Sequence, residues 1–286
     1  NAPNGGVIVH QFTIRPNDYL VDWTVQMNGA DQLLDQGNFN LIWQSQLRQQ
    51  ETDVVYERAQ SSISFYEDND FDYIQTNSGK KFEKPVMWVA VAQQFFNTAL
   101  ITKNNFTSGE VKWTKGTDTS SKIADATTTL QTKLPLGANA VLPMQLYYGP
   151  NDYKTLKKQA PDMDKIVNLG RDFYAFVRPI NKWIVMPLFD LFDSFIISIG
   201  IVIALLTLAI RLLTSPLVYK SYLSGAKMKA LRPEIDKLKQ KLGNDQQQIG
   251  MEQMKLFREA GVNPLGGCIP ALLQIPIFFA LYSFFN

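Results

Sequence analysis

The spacing of hydrophobic residues changes near residue 170. Before it, short runs alternate between apolar and polar residues, most clearly at 20–28, where Val21, Trp23 and Val25 alternate with polar neighbours. This period of two predicts strands with one buried and one solvated face. Similar runs lie at 7–14, 39–48, 61–66, 86–92, 110–114, 127–134 and 140–148. Turn-rich stretches at 77–80 and 102–109 separate them, so we predict an antiparallel all-β sandwich over 1–170. The dense apolar run 89–101 also fits a helix.

Residues 194–219 are apolar and carry one charge, Arg211. As a helix this stretch would be about 39 Å long. A bilayer core requires about 20 mostly apolar residues, or ~30 Å. The pattern therefore predicts a transmembrane helix.

Arg211 lies inside that predicted span, about 13 Å from Lys220, the next charge. A charge at this depth costs at least ~2.5–3.5 kcal/mol unless water or a partner meets it. Thr207, Thr214 and Ser215 are three or four residues away and share its helix face. This polar stripe is typical of a helix that lines a wet cavity. The alternative is an arginine that extends to the nearer headgroups.

The stretch 171–193 precedes the span and has apolar residues at helical spacing with charged residues around them. Trp183 and several phenylalanines suit a membrane–water interface. We predict an amphipathic helix that lies on the outer surface and is interrupted at Pro179 and Pro187. A plain juxtamembrane linker is the alternative.

Two amphipathic segments follow the span within 220–260. Leu231, Ile235, Leu238 and Leu242 form a coiled-coil seam, and a second helix is predicted over 246–260. We expect an antiparallel helical hairpin. Its lysines form either a solvated surface or a docking surface for acidic or nucleic-acid-bearing partners, or anionic lipid. The candidate docking residues are Lys227, Lys229, Lys237, Lys239 and Lys241.

Residues 261–286 contain no charge and are predicted to start a second span. Prolines and glycines make its first part irregular, which membranes tolerate only inside protein or beside water. Gln274 is the polar residue deep enough to join the cavity of Arg211.

The charges of the 286 residues are unevenly distributed. The loop 220–260 holds nine basic and five acidic residues, a net charge of +4, whereas 1–219 has a net charge of −2. The positive-inside rule places 220–260 in the cytoplasm and 1–193 outside. Since an exported domain of this size requires an export signal, we expect the chain to be part of a larger membrane protein.

Candidate catalytic residues are few. His10 is the one histidine and Cys268 the one cysteine, so no internal disulfide is possible. Asp68, Asp70 and Asp72 could act on a sugar, but a solvated acidic turn explains them as well. No metal-ligand spacing, phosphate-binding loop or nucleophile elbow is present, and no basic stripe fits nucleic acid. We predict no metal, no cofactor and no enzyme activity.

Several stretches carry a family resemblance over essentially the whole chain. The most specific is 262–268 (VNPLGGC) followed by 274–278 (QIPIF) and 280–282. Others are 88–90, 93–96, 210–211, 216–217, 227–228, Leu231 and Pro233. With them the chain resembles the YidC/Oxa/Alb family of membrane protein insertases, in its Gram-negative type with a large periplasmic domain.

The resemblance implies more than the patterns do. It implies a periplasmic β-supersandwich similar to sugar mutarotases but without their catalysis. It also implies five core helices around a hydrophilic groove, of which two are in this chain, the second incomplete. Arg211 stands at the position of the groove arginine, and Thr207 and Gln274 match groove-lining positions.

The implied activity is insertion and folding of nascent membrane proteins in the bacterial inner membrane, alone or with the Sec translocon. The hairpin would meet the ribosome and targeting factors, without direct nucleic-acid specificity. Two other hypotheses stay open. One is a membrane-anchored domain that binds or modifies carbohydrate, and the other is a structural translocon subunit in which Arg211 is replaceable.

Overall fold

The structure is a computed structural model that describes residues 5–117, 120–135, 137, 139–243, 246–261 and 269–285. The chain forms two compact units, Asn1–Val167 and Asn168–Asn286, called here the β unit and the helical unit. The division falls three residues before the boundary expected at 170. The chain is thus a β-sandwich followed by a helical part, as the periodicity predicted.

The β unit contains a seven-stranded and a four-stranded antiparallel sheet in its described part. The strands are β1 (Val7–Ile14), β2 (Leu20–Asn28), β3 (Asn38–Arg48), β4 (Ser62–Glu67), β5 (Asp70–Ile74), β6 (Ser78–Phe82), β7 (Val86–Ala92), β8 (Phe96–Phe106), β9 (Ser108–Lys115), β10 (Lys122–Lys133) and β11 (Asn139–Pro150). The larger sheet has the order β1-β2-β11-β8-β7-β4-β5, and the smaller has the order β3-β10-β9-β6.

The core of the β unit lies between the two sheets. In β2, Val25 and Met27 are buried, whereas the terminal Asn28 is exposed. Trp113 and Leu130, from the smaller sheet, join the same cluster. Burial of these large side chains, at about 1.5–3 kcal/mol each for residues of this size, is the main stabilising term.

The region of strands β6 to β9 differs in part from the sequence prediction. The run 89–101 belongs to the paired strands β7 and β8 and not to a helix. The expected turns at 77–80 and 102–109 lie mostly within β6, β8 and β9. A central strand buried on both faces has no period of two, so its sequence resembles a buried helix. β5 and β6 are edge strands rich in charge, which is how proteins protect sheet edges.

Short helices cover parts of the β unit: α1 (Ala30–Leu33), α2 (Val54–Gln60), α3 (Tyr153–Gln159) and a 3₁₀ turn (Met163–Ile166). α3 and the 3₁₀ turn supply Leu156 and Met163 to a second hydrophobic cluster that includes Trp88. The indole Nε1 of Trp88 donates to the carbonyl of Pro161 at 2.9 Å. This contact fixes the segment that follows the last strand.

The helical unit begins with a 3₁₀ segment (Asp172–Val177), α4 (Arg178–Ile180), a π turn (Asn181–Val185) and α5 (Met186–Asp193). The expected interruptions at Pro179 and Pro187 are not observed. Both prolines lie in the first turn of a new helical segment, where a missing N–H leaves no partner unsatisfied. The hydrogen-bonding pattern changes at these points while the chain stays helical.

Four longer helices follow: α6 (Ile199–Ala230), α7 (Arg232–Leu242), α8 (Gln246–Glu259) and α9 (Ile269–Phe285). The helix expected over 194–219 therefore starts later and continues further. The Phe192 carbonyl accepts from the amides of both Phe195 and Ile196, and this tight turn separates α5 from α6. Good helix formers after Lys220 extend α6 beyond the apolar region.

Within the described part of the chain, one helix is long and apolar enough to cross a membrane, with its apolar stretch at Ile199–Pro216. A shorter apolar helix lies at Gln274–Phe285. α7 contacts α8, and Ile235, Ile249 and Phe257 are buried. The antiparallel coiled-coil arrangement stays a prediction. The specific stretch 262–268, with Cys268, lies outside the described residues.

Candidate functional site

The polar face of α6 borders a cavity of about 550 Å³, called here the Arg211 cavity. α9 forms its other wall. All five residues expected at a groove lie around it: Thr207, Arg211, Thr214 and Ser215 from α6 and Gln274 from α9. The remaining lining residues are apolar or aromatic: Ile210, Val218, Tyr219, Tyr222, Ile277, Phe278 and Leu281.

Packing of the adjoining side of α6 fixes the direction of this polar face. Leu206 and Ile210 are one turn apart, and both are buried in a cluster with Val185. Ile277 and Leu281 of α9 pack against the same cluster. Since Arg211 is one residue, or about 100°, around the helix from Ile210, it is directed away from this contact and toward the cavity.

The three α6 hydroxyls donate to their own helix. Thr207 Oγ1 donates to the Ile203 carbonyl at 2.9 Å, and Ser215 Oγ to the Leu212 carbonyl at 2.8 Å. Thr214 Oγ1 donates to the Ile210 carbonyl at 3.0 Å. Each hydroxyl is therefore satisfied as a donor but keeps lone pairs that can accept from water or substrate. Such back-bonding lets polar side chains exist at low cost in an apolar helix.

The side chain of Arg211 is exposed and makes no ion pair or hydrogen bond with any residue that the structure describes. It is also the one charged side chain among the described residues around the cavity. A guanidinium has five N–H donors and keeps its charge at any physiological pH. The cavity therefore presents an uncompensated positive charge between apolar walls, which attracts carboxylates and requires water in their absence.

α9 presents Gln274, Ile277, Phe278 and Leu281 to the cavity, at spacings of three and four residues along one face. The amide of Gln274 can both donate and accept hydrogen bonds, so it adapts to a moving ligand. Phe278 stacks with Tyr282 one turn away, with ring centroids 6.4 Å apart. The wall is thus mostly hydrophobic with one polar side chain.

Asn181 fixes α9 in place, and no pattern in the sequence pointed to it. Its side chain is completely buried in the π turn. Nδ2 donates to the Leu169 carbonyl at 3.0 Å and to Ser283 Oγ at 2.8 Å. Its Oδ1 has no hydrogen-bond partner among the residues that the structure describes. Because buried amides are costly unless bonded, this residue is a strong positional constraint on the wall of the cavity.

The five candidate docking lysines are all exposed, and none forms an ion pair with a described residue. Lys227 and Lys229 lie at the end of α6, and the other three lie in α7. Lys237 and Lys241 share one face of α7, whereas Lys239 is on another, about 160–200° away. The structure thus distributes them around the helices and does not bring them together.

The acidic turn in the β unit is neutralised locally. Lys80 Nζ lies 2.9 Å from Glu67 and 3.5 Å from Asp72, and Lys84 Nζ lies 2.5 Å from Asp68. The hydrogen bond to Asp68 raises the pKa of Lys84. Lysines thus pair with two of the three candidate carboxylates, Asp68 and Asp72, as in a solvated turn. No group of three or more potential metal ligands was found among the described residues.

Comparison with known proteins gives consistent matches along the chain. The family profile described as the YidC periplasmic domain matches residues 1–189, and the profile described as 60Kd inner membrane protein matches residues 191–286. Among similar proteins, the membrane protein insertase YidC of Amoebophilus asiaticus is 36% identical over 284 residues, covering 96% of this chain and 46% of that protein.

Two further relatives carry the same name. That of Bacteroides fragilis is 31% identical over 296 residues, covering 99% of this chain and 47% of its own length. That of Chlorobaculum parvum is 30% identical over 288 residues, covering 96% of this chain and 47% of its own length. The chain thus spans about half the length of the curated relatives it matches. Because the periplasmic-domain profile alone covers well over half of it, the chain belongs to the YidC family.

Proposed function

We propose that this chain is part of a bacterial inner-membrane insertase, and that the Arg211 cavity is the groove that receives polar segments of nascent membrane proteins. One observation carries the proposal. The Arg211 side chain stands without a partner in the described structure, at a cavity of about 550 Å³ and in the otherwise uncharged stretch Ile199–Pro216 of α6. The names of the relatives, all membrane protein insertases, support the same function.

The physical task of such a protein is to move a short polar tail across ~30 Å of hydrocarbon. A wet cavity part of the way into the membrane shortens the dry part of that path. Arg211 attracts an acidic residue in the tail, so that each charge replaces part of the other's lost hydration. Thr207, Thr214, Ser215 and Gln274 supply weaker hydrogen bonds that do not hold the tail in place.

Release needs no nucleotide. The apolar helix of the substrate leaves the cavity for lipid, driven by about 25 cal/mol for each Å² of apolar surface removed from water. An acidic tail is also drawn outward by the membrane potential, at about 2.3 kcal/mol per charge and 100 mV. Phe278 and Leu281 offer the departing helix an apolar wall along which to slide.

The charge distribution supports a topology with 220–260 in the cytoplasm and 1–193 in the periplasm, in a multi-pass protein. The exposed lysines of α6 and α7 then face the cytoplasm, where they would contact ribosomes and targeting factors. The Sec translocon is a further partner that the family resemblance implies. The β unit is proposed to have the mutarotase-like supersandwich fold without catalysis, since lysines pair with Asp68 and Asp72 of its acidic turn.

The test is protease-protected insertion of a small single-span substrate with an acidic tail, with the full-length protein in vesicles. Arg211→Ala is expected to slow insertion at least tenfold, and Arg211→Lys to retain it, because a positive charge of either kind attracts the tail. A substrate with asparagines in place of the acidic residues is the matched control and should respond little to either variant.

Wild-type activity in both variants would contradict the proposal. Arg211 would then only pack or extend to the headgroups, and a structural role in a translocon would explain the chain better.

A further inference from the structure

A second cavity, of about 220 Å³, lies in the β unit. It is called here the Phe95 cavity. Its lining consists of two glutamates (Glu51 and Glu57), two phenylalanines (Phe95 and Phe96) and three glutamines. No lysine or arginine is among these residues, so the cavity combines negative charge with aromatic faces.

Glu57 gives the cavity a buried negative charge. Only 1% of its surface is exposed. Its carboxylate accepts from the amides of Gln50 and Glu51 at 3.0 and 3.1 Å and from Gln93 Nε2 at 2.9 Å. The Gln50 amide also reaches the second carboxylate oxygen, Oε1, at 3.3 Å, and all of these donors are neutral. Within the described residues Glu57 has no cationic partner.

The nearest arginine in the sequence does not supply that partner. The guanidinium of Arg58 donates instead to the carbonyls of Thr117, Ser120 and Lys122, at 3.0, 3.1 and 3.2 Å. A buried charge without a counter-ion is unfavourable and gains from a cation that enters the cavity.

The phenylalanines are held rigidly at the surface. Phe95 lies in the turn between β7 and β8 and Phe96 is the first residue of β8, and they are 49% and 60% exposed. The side-chain Nδ2 of Asn151 donates to the carbonyls of Gln93 and Gln94 at 2.7 and 3.1 Å. Its backbone N–H donates to the Phe95 carbonyl at 2.7 Å. A fixed loop that displays two exposed rings beside a carboxylate is already organised for binding, which lowers the entropy cost of association.

We propose that the Phe95 cavity binds an arginine side chain of an extended polypeptide. The planar guanidinium can donate to the Glu57 carboxylate while it stacks on a phenyl ring, and its charge strengthens both contacts, which a neutral side chain cannot do. Glu51 stabilises the same charge from the rim. This site lies in the β unit and does not depend on the function proposed for the Arg211 cavity.

The test uses the full-length protein in phosphatidylglycerol nanodiscs and the blocked peptide acetyl-Gly-Gly-Arg-Gly-Gly-amide, with binding measured by calorimetry. We expect saturable binding, and at least tenfold weaker binding of the same peptide with citrulline, which keeps the shape of arginine but has no charge. The double variant Phe95→Ala/Phe96→Ala should weaken binding at least tenfold. Phe12→Ala is the matched control, because Phe12 is similarly exposed at 55% but lies on β1.

Charge is tested with Glu57→Gln and with the rim variant Glu51→Gln. Because Glu57 is buried, Glu57→Gln risks misfolding, so Glu51→Gln provides an independent test of charge. Glu51→Gln should weaken peptide binding about threefold and leave the melting temperature unchanged. Absence of saturable binding, equal affinity for the citrulline peptide, or full affinity in the double phenylalanine variant would each overturn the proposal. Loss of peptide binding in phosphatidylethanolamine nanodiscs would also overturn it, by identifying a lipid ammonium as the occupant.

Discussion

Ile42 in the β unit and Leu212 in the helical unit are both 64% exposed, but their surroundings differ. In the β unit, exposed apolar side chains surround a core in which Val25 and Phe65 are almost completely buried. In the stretch Ile199–Pro216, only 17% of the residues are buried. The buried core of the β unit is typical of a domain surrounded by water. The exposed stretch Ile199–Pro216 suits hydrocarbon, since an apolar side chain gains little by leaving lipid.

The same contrast holds for charge. In the β unit, lysines such as Lys80 and Lys122 have carboxylates within 4 Å. In α6, Arg211 has no such partner in the described structure and faces a cavity. Water makes a paired surface lysine nearly neutral in energy, whereas lipid makes an unpaired arginine costly. Arg211 in the helical unit therefore has a high free-energy cost, whereas the paired lysines of the β unit have a low one. For this reason we assign function to the helical unit.

The largest expected effect is loss of a core residue of the β unit. Trp88→Ala should destabilise this unit by about 3–5 kcal/mol, because it removes a buried indole and its bond to Pro161. At 2–4 °C per kcal/mol, its melting temperature should fall by about 6–20 °C. Trp183→Ala is the control from the helical unit, where the indole is 76% exposed. Equal shifts in calorimetry would contradict the contrast between the units.

A charge placed on the two equally exposed side chains separates water from lipid most sharply. Leu212→Lys should cost about 2.5–3.5 kcal/mol because it places an ammonium in hydrocarbon. Ile42→Lys should change stability by at most ~0.5 kcal/mol, because that side chain faces water. The fraction of protein in the membrane after carbonate extraction reports the first cost, and thermal unfolding reports the second. If Leu212→Lys integrates normally, α6 does not face lipid there.

Substitution of Asn181 should lower stability less than the two changes above, but more than substitution of its hydrogen-bond partner Ser283. Asn181→Leu keeps the branching of the side chain at Cγ and leaves the Leu169 carbonyl without its donor, at a cost of about 1–3 kcal/mol. Ser283→Ala removes only one of the two bonds and should cost roughly 0.6 kcal/mol. Thermal unfolding in detergent ranks the two variants. Wild-type stability of Asn181→Leu would show that the amide does not hold α9.

The smallest expected effect concerns a surface pair of the β unit. Lys122 Nζ lies 2.6 Å from Asp125, and this hydrogen bond lowers the pKa of the carboxyl. Because the pKa of Asp125 is lowered in the folded state, its carboxylate stabilises the fold at pH values above the usual pKa of about 3.8. This stabilisation is lost as the pH falls below that value. Asp125→Asn should therefore cost less than ~1 kcal/mol at pH 7. The difference from wild type should disappear in acid unfolding curves, and a difference that grows in acid would contradict this assignment.

Much of the fold could be predicted because the solvent-facing strands obey simple periodicity. β2 alternates between a buried and a wetter face, and the sequence gives its bounds, 20–28, without error. β8 could not be predicted, because Ala99, Leu100 and Ile101 are buried on both faces and leave no alternation. β6 could not either, since Gly79 and Lys80 have the composition of a turn while pairing as an edge strand.

The candidate site was predictable where one helix carries it. Thr207 and Thr214 follow from their spacing to Arg211, and extension of the same stripe by two turns would have reached Tyr219 and Tyr222. Contributions that depend on how helices pack have no such signal. Asn181 is 102 residues from its partner Ser283, and nothing in the local sequence relates them.

The central claim is that the face of α6 around Arg211 meets water while the neighbouring face meets lipid. Thr214 lines the cavity and the adjacent Leu213 does not, although both are at the same depth. In a Cys268→Ser background, each would be replaced by cysteine and treated in vesicles with a charged, water-soluble maleimide. We predict that the cysteine at 214 reacts at least tenfold faster. Equal rates at the two positions, whether fast or slow, would contradict the claim that Arg211 faces a wet cavity.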